Sequence, residues 1–277
     1  MKKLPVGIQV YGLRELLENT PENFRSVMLQ IKEMDYDGVE LAGLYGLEPE
    51  FVKKTLDETG LIPISAHVPL AELMEDARKV AETYRKIGVS YIAVPYLPEE
   101  YRPNTSGYET VLEELARIGQ IMKTYGIKLE YHNHDFEFVK LPDGTFGFDD
   151  IYKKIPEELL KVEPDLCWIK VAGESPVDYL KKYGARSEVV HLKDYVKEGN
   201  PKNMYKLIGI EEEEEEGNTG SFEFRPVGFG IQIWEPILDA VLEAGAKWVV
   251  VEQDEHYDLP VLEAARRSRE YLKILGW

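Results

Sequence analysis

The chain has 277 residues, 44% of them hydrophobic, and a formal net charge of −18, which suits one large domain with a sizeable core. The acidity excludes binding to nucleic-acid backbones or anionic membrane surfaces, both of which need clustered Lys and Arg. The single cysteine, Cys167, excludes an internal disulfide framework and a cysteine-rich zinc site.

Behind Met1-Lys2-Lys3 there is no long apolar stretch, and no window approaches the ~20 apolar residues of a membrane span, so a cytoplasmic protein is expected. Along the chain, short apolar runs alternate with helical patterns. Val6–Val10 precedes a helix over Pro21–Met34, and Gly38–Leu41 precedes one over Glu50–Thr59. Ile62–His67 leads into Leu70, Leu73, Ala77, Val80, Ala81 and Ile87, spaced as one face of a helix. Tyr91–Val94 leads into a similar stripe from Val111 to Tyr125. Ile127–Tyr131 is followed by a helix over Asp149–Ile155, and Leu160–Pro164 by Pro176–Tyr183. Val189–Leu192 is separated by a long insertion from Glu235–Glu243, and Trp248–Glu252 is followed by Pro260–Leu275. Glycines such as Gly88 and Gly245 fall just past helix ends, where the left-handed conformation stops a helix without strain.

The apolar runs read as strands buried on both faces, as parallel strands covered by helices are. Eight strand-helix alternations predict an α/β fold: a single-domain (β/α)8 TIM barrel spanning residues 1–277. The rival is an open doubly wound sheet. It would carry a G-x-G-x-x-G turn after the first strand, and Gly7-Ile8-Gln9-Val10-Tyr11-Gly12 lacks that spacing. The insertion, Lys193–Gly230, contains six consecutive glutamates, Glu211 to Glu216. It reads as a solvated loop or, since βα loops sit on the catalytic face, as an acidic lid.

In a barrel, the C-terminal strand ends converge on one mouth. The fifth strand delivers Glu130, the sixth Asp165, the seventh His191 and the eighth Glu252. Four such ionisable ends would be costly to bury unpaired, and a shared cation removes that cost. The donor set suits one divalent ion, Mn²⁺, Mg²⁺, Co²⁺ or Zn²⁺, with open positions for water or a substrate hydroxyl. The polar segment His132-Asn133-His134-Asp135-Phe136-Glu137-Phe138 reads as a substrate-binding loop, with His132, His134 and Glu137 as candidate contacts. His67 closes the third strand in the same manner. Lys193 is a candidate contact on the seventh.

At these residues the chain resembles the xylose-isomerase-like sugar phosphate isomerase/epimerase family. The likeness covers nearly the whole chain. It is carried by Asp37-Gly38-Val39-Glu40-Leu41, by the His132–Phe138 segment, by Asp165-Leu166-Cys167-Trp168, by His191-Leu192-Lys193-Asp194 and by Val251-Glu252-Gln253-Asp254. The resemblance implies a metal held by Glu130, Asp165, His191 and Glu252, with Glu137 the alternative on strand five. It also implies that Glu130 and Glu252 move protons on opposite faces of a carbon, through an enediolate. Relatives often carry a histidine where this chain has Trp168, which is expected to stack on a sugar ring. The function so implied is isomerisation or epimerisation of a small keto sugar; no glycine-rich helix start accompanies Lys193 and Lys197, so an unphosphorylated sugar is expected. The alternatives are a keto-sugar or keto-inositol dehydratase and a sugar-binding barrel without catalysis. In the dehydratase, Lys193 or His132 would assist the leaving group. A DNA-repair endonuclease on this barrel is opposed by the charge. Homo-oligomerisation is left open.

Overall fold

The computed structural model describes residues 3–17, 20–202, 204–210 and 219–277. The Glu211–Glu216 run, expected to be a loop or lid, lies outside them. In chain order the strands are β1 (Val6–Gln9), β2 (Gly38–Ala42), β3 (Ile62–His67), β4 (Tyr91–Val94), β5 (Lys128–His132), β6 (Lys161–Glu163), β7 (Val189–Leu192), β8 (Asp194–Glu198), β9 (Ser221–Arg225) and β10 (Trp248–Val251). The helices are α1 (Arg14–Leu17), α2 (Pro21–Glu33), α3 (Pro49–Thr59), α4 (Leu70–Ile87), α5 (Tyr108–Thr124), α6 (Gly147–Lys154), α7 (Leu166–Val171), α8 (Pro176–Tyr183), α9 (Trp234–Ala244) and α10 (Val261–Ile274).

Eight strands run parallel in the order β6-β5-β4-β3-β2-β1-β10-β7, the sequential circuit of a (β/α)8 barrel. The circuit nearly closes. Between β6 and β7 it is joined by a single bridge, Asp165 to His191, with the His191 amide donating to Pro164 O at 3.0 Å. The expected strands and helices are found, and besides the single turn α1 two features were not expected. One is α7, a six-residue helix starting immediately after Asp165. The other is an antiparallel hairpin, β8 with β9, inside the 193–230 insertion.

Local chemistry explains the elements. The Thr20 hydroxyl accepts from Asn23 N, and Pro21 occupies the first turn, so α2 starts there. Helix α7 starts at Asp165, whose Oδ1 accepts from the amides of Cys167 and Trp168. Inside the barrel floor, Ile64 takes the space of side chains that Gly7 and Gly38 lack; a Cβ at either glycine would collide with it. The floor is closed by Glu188, which accepts from Tyr91 Oη at 2.8 Å and pairs with Lys128 at 2.5 Å and Lys161 at 3.6 Å. These residues precede or open β7, β4, β5 and β6, so the chemistry at the other end rests on a closed base.

Asp194 ties the insertion down. Its buried carboxylate accepts from the amides of Tyr195, Gly228, Gly230 and Gln232 and from Trp234 Nε1. The hairpin thereby lies over α7, burying Trp168, Cys167, Tyr195, Phe222 and Phe224 in one aromatic cluster.

Candidate metal centre

Two groups of metal-compatible side chains sit at the C-terminal ends of the strands. The outer group is His132, Asp165, His191 and Glu252, and the inner one is His67, His132, Glu163 and His191. In each, one donor atom per residue lies within 4.8 Å of all the others. In the outer group, His132 Nε2 is 3.6 Å from Asp165 Oδ2 and 3.9 Å from Glu252 Oε2, and His191 Nδ1 is 2.8 Å from Glu252 Oε2. Asp165 Oδ2 is buried with no hydrogen-bond partner, while Oδ1 caps α7. An unpartnered buried carboxylate oxygen facing two imidazole nitrogens and a second carboxylate fits a divalent cation.

Strand five departs from expectation. Glu130 joins neither group. Alternation puts Glu130 and His132 on the same inward face of β5, but Glu130 lies two residues deeper. Both of its oxygens are buried without a partner, and burial, with Glu163 and Glu40 nearby, pushes its carboxyl well above the ordinary range. His132, expected to contact substrate, takes the strand-five corner instead. Glu137, the alternative ligand and candidate contact, is also absent from both groups. It is fully buried, accepting from Tyr131 Oη and from His134 N at 2.9 Å. Burial raises it to about 8. Trp168 is also corrected as a substrate contact: it is fully buried beneath the hairpin, stacked on Phe222 at 5.9 Å, and does not line the cavity.

His67, His132, His134, Lys193 and Glu252 do line a cavity of about 530 Å³ above the outer group, together with Gln9, Tyr11, Tyr96 and Asp254. Its far wall is Ile208–Ile210 of the insertion, where the Tyr11 hydroxyl donates to Ile208 O at 3.1 Å. Lys193 is 1% exposed. Its ammonium is 2.5 Å from Asp254 Oδ2, 3.4 Å from Glu252 Oε2 and 3.6 Å from Asp165 Oδ2. Burial works against that charge, but Asp254, Glu252 and Asp165 hold the amine's pKa well above its usual value. Burial likewise opposes ionisation of Glu252, and Lys193, His191 and His132 outweigh it, so this carboxyl lies well below its usual range. Gln9 Nε2 donates to Glu252 Oε1 at 3.1 Å. His134 stacks on Phe136, and burial holds it well below its ordinary value.

Sequence reasoning did not pick out Gln9, Tyr11, Tyr96, Asp254, Glu40 or Glu163. Glu40 carried a readable signal: it is a carboxylate inside an otherwise apolar strand, where an isolated charge is costly, whereas Glu163 shares its short strand with Lys161 and stands out less. Tyr11 and Tyr96 lie in loops with no pattern to mark them.

Fold and site together define a (β/α)8 barrel with a histidine-carboxylate cluster at its mouth that could hold a metal ion. The chain belongs to the xylose isomerase-like TIM barrel family, whose profile matches residues 28–275. It is similar to an inosose dehydratase of Clostridium beijerinckii, 25% identical over 92% of this chain and 90% of that protein. Among solved structures it resembles a sugar phosphate isomerase/epimerase from Parabacteroides distasonis, with a TM-score of 0.77, 22% identity, and 99% of this chain and 94% of the other covered. A xylose isomerase-like TIM barrel protein from Mycobacterium smegmatis, in complex with magnesium, superposes with a TM-score of 0.71 at 16% identity, covering 99% and 98%. The chain is thus an enzyme of a family whose named relatives include both lyases and isomerases. Among the described residues, no helix is long and apolar enough to cross a membrane.

Proposed function

We propose that this chain is a divalent-metal-dependent lyase that removes water from an uncharged cyclic keto-polyol of the inosose type, starting with abstraction of the proton α to the carbonyl. One observation carries the reading: the second glutamate of a two-sided epimerase is not at the mouth. Glu130 lies below it, and a histidine stands in its place. The other cavity carboxylate near Glu252 is Asp254, two residues along the same chain end and held by Lys193. The base Glu252 and the acid Lys193 therefore stand side by side, 3.4 Å apart, which suits elimination better than proton exchange across the two faces of one carbon. The similarity to inosose dehydratase supports the same reading.

The cation, held by His132, Asp165, His191 and Glu252, would supply Lewis-acid polarisation of a bound carbonyl. Glu252, ionised and oriented by Gln9, takes the α-proton as the C–H bond breaks. Lys193 gives a proton to the β-hydroxyl as the C–O bond breaks, so water departs and a C=C bond forms. Glu252 is then protonated and Lys193 neutral, 3.4 Å apart. A proton passed from one to the other restores both. Tyr11 and Ile208–Ile210 shield the reacting carbons from bulk water. Lys193 is already neutralised by three carboxylates, which favours a substrate without phosphate.

The second reading, isomerisation or epimerisation, is favoured by the structural likeness to a sugar phosphate isomerase/epimerase. In that case the enediolate is reprotonated instead of losing hydroxide. A panel of keto-polyols and keto sugars, incubated with the Mn²⁺-loaded protein in D₂O and followed by NMR, separates the two. Loss of a hydroxyl with vinylic signals is the expected result. Deuterium incorporation with every hydroxyl retained would replace the lyase with an isomerase.

A further inference from the structure

The inner group is not needed by the chemistry above, yet its atoms converge. His67 Nε2 is 2.8 Å from Glu163 Oε2 and 3.0 Å from Glu40 Oε1. His191 Nε2 is 2.9 Å from Glu40 Oε1 and 3.6 Å from Glu163 Oε1, and His132 Nδ1 is 3.3 Å from Glu163 Oε2. Despite these short separations, four of the atoms have no hydrogen-bond partner: His132 Nδ1, His191 Nε2, Glu40 Oε1 and Glu163 Oε1. All four are buried. His67 Nε2 and Glu163 Oε2 are aligned as a hydrogen bond, but along the other contacts the lone pairs and N–H directions do not line up. Such spacing without hydrogen-bond alignment is what donors show when they point at a common centre.

We propose that His67, His132, Glu163 and His191, with Glu40 beside them, form a second cation site one layer below the outer one, filled in place of it. The exclusion follows from imidazole chemistry. A neutral ring has one lone pair and one N–H. His132 turns Nε2 to the outer group and Nδ1 to the inner, while His191 turns Nδ1 outward and Nε2 inward. An inner ion takes both inner lone pairs and leaves the outer N–H groups to Glu252 and Asp165, and an outer ion does the reverse. The donor sets differ in kind. The inner one is three imidazoles and one carboxylate, which suits Zn²⁺, Co²⁺ or Ni²⁺; the outer has two carboxylates and a cavity for water, which suits Mn²⁺ or Mg²⁺. An ion can reach the inner site because His67 and His132 line the cavity. The proposal is independent of which reaction the cavity runs.

The test uses the metal-stripped full chain titrated separately with Zn²⁺ and Mn²⁺ by calorimetry. Of the two donor sets, His67 belongs to the inner alone and Asp165 to the outer alone. His67→Gln is expected to weaken Zn²⁺ binding at least tenfold and Mn²⁺ binding less than twofold, and Asp165→Asn is expected to do the opposite. In wild-type crystals, anomalous scattering at the zinc edge should place the ion within about 2.1 Å of His67 Nε2. The rival is a metal-free network in which protonated His67 and His191 neutralise Glu40 and Glu163. A zinc peak beside Asp165, or Zn²⁺ affinity unchanged in His67→Gln, would establish that rival. Mn²⁺ affinity unchanged in Asp165→Asn would instead remove the outer site and with it the proposed lyase chemistry.

Discussion

His132 and Glu130 share one face of β5, two residues apart, and only the outer one meets Asp165, His191 and Glu252. From the sequence, both fit a strand end equally well. Which of them reaches the mouth depends on where the strand stops, and terminal residues are the least determined part of any element. The two substitutions should therefore separate. His132→Ala is expected to weaken Mn²⁺ binding by about 10- to 100-fold, as loss of a ligand does. Glu130→Met is expected to leave Mn²⁺ affinity within twofold and to raise stability by about 1–3 kcal/mol, because it removes a buried carboxyl whose oxygens have no partner. Denaturant unfolding of both proteins checks the second effect, and a destabilised Glu130→Met would show that this carboxyl has a partner after all. Glu137 gives the pH dependence. Burial raises it to about 8 in the folded chain, above the ordinary glutamate value near 4.3. A group shifted upward contributes stability that is complete below its unfolded pKa and is lost as pH rises through its folded one. Wild-type stability should accordingly fall by a few kcal/mol between about pH 4.5 and pH 8. Glu137→Gln should flatten that fall, as read from denaturation midpoints at both ends of the window.

At the scale of elements, the eight barrel strands were legible because each is a short, mostly buried segment built around apolar or β-branched residues, with helical sequence behind it. The missed pieces break those conditions. Helix α7 has only six residues, too few to show a period, and its start is fixed by Asp165, a residue that reads first as a ligand. Strand β9 did carry a signal. Ser221-Phe222-Glu223-Phe224-Arg225 alternates, with both phenylalanines buried, but the neighbouring glutamate run dominates the composition of that stretch. The role of Asp194 was invisible for a different reason: its five donors come from Tyr195 and from residues 34 to 40 positions away. This carboxylate is the knot that holds the insertion against the mouth. Asp194→Ala strands several buried amides at a cost of about 1–3 kcal/mol each before relaxation. The expected outcome is a stability loss of at least about 3 kcal/mol, with amide exchange accelerated first across β8, β9 and residues 228–234. A loss confined to β10 and the barrel floor would contradict the assignment.

For the whole molecule, the barrel is uneven around its circumference. Seven strand-strand junctions are laddered, β2 to β3 with one register shift at Val39/Glu40, and the eighth, β6 to β7, consists of the Asp165–His191 bridge and one amide-carbonyl bond. The floor beneath that seam is strong, since Glu188 joins β7 to the starts of β4, β5 and β6. At the mouth, the residues that border the seam, Asp165 and His191, are two of the four residues of the outer group. A cation shared by His132, Asp165, His191 and Glu252 thus links β5, β6, β7 and β10 across the one place where backbone pairing is thin. Sequence reading named three of the four residues of this group, Asp165, His191 and Glu252, but had no means of seeing the seam, because strand register is a property of the closed sheet. Metal removal should therefore act as a structural change as well as a chemical one. Binding to the folded state alone stabilises it by about 2.7 kcal/mol when free ion is a hundredfold above its dissociation constant. For a domain of this size that corresponds to roughly 5–10 °C in Tm. Chelation should lower Tm by that amount and should accelerate amide exchange in β6, α7 and β7 ahead of β1 to β4. Uniform acceleration around the barrel would mean that the ion contributes only mass action, and the seam would have to be held by the bridge and the hairpin above it.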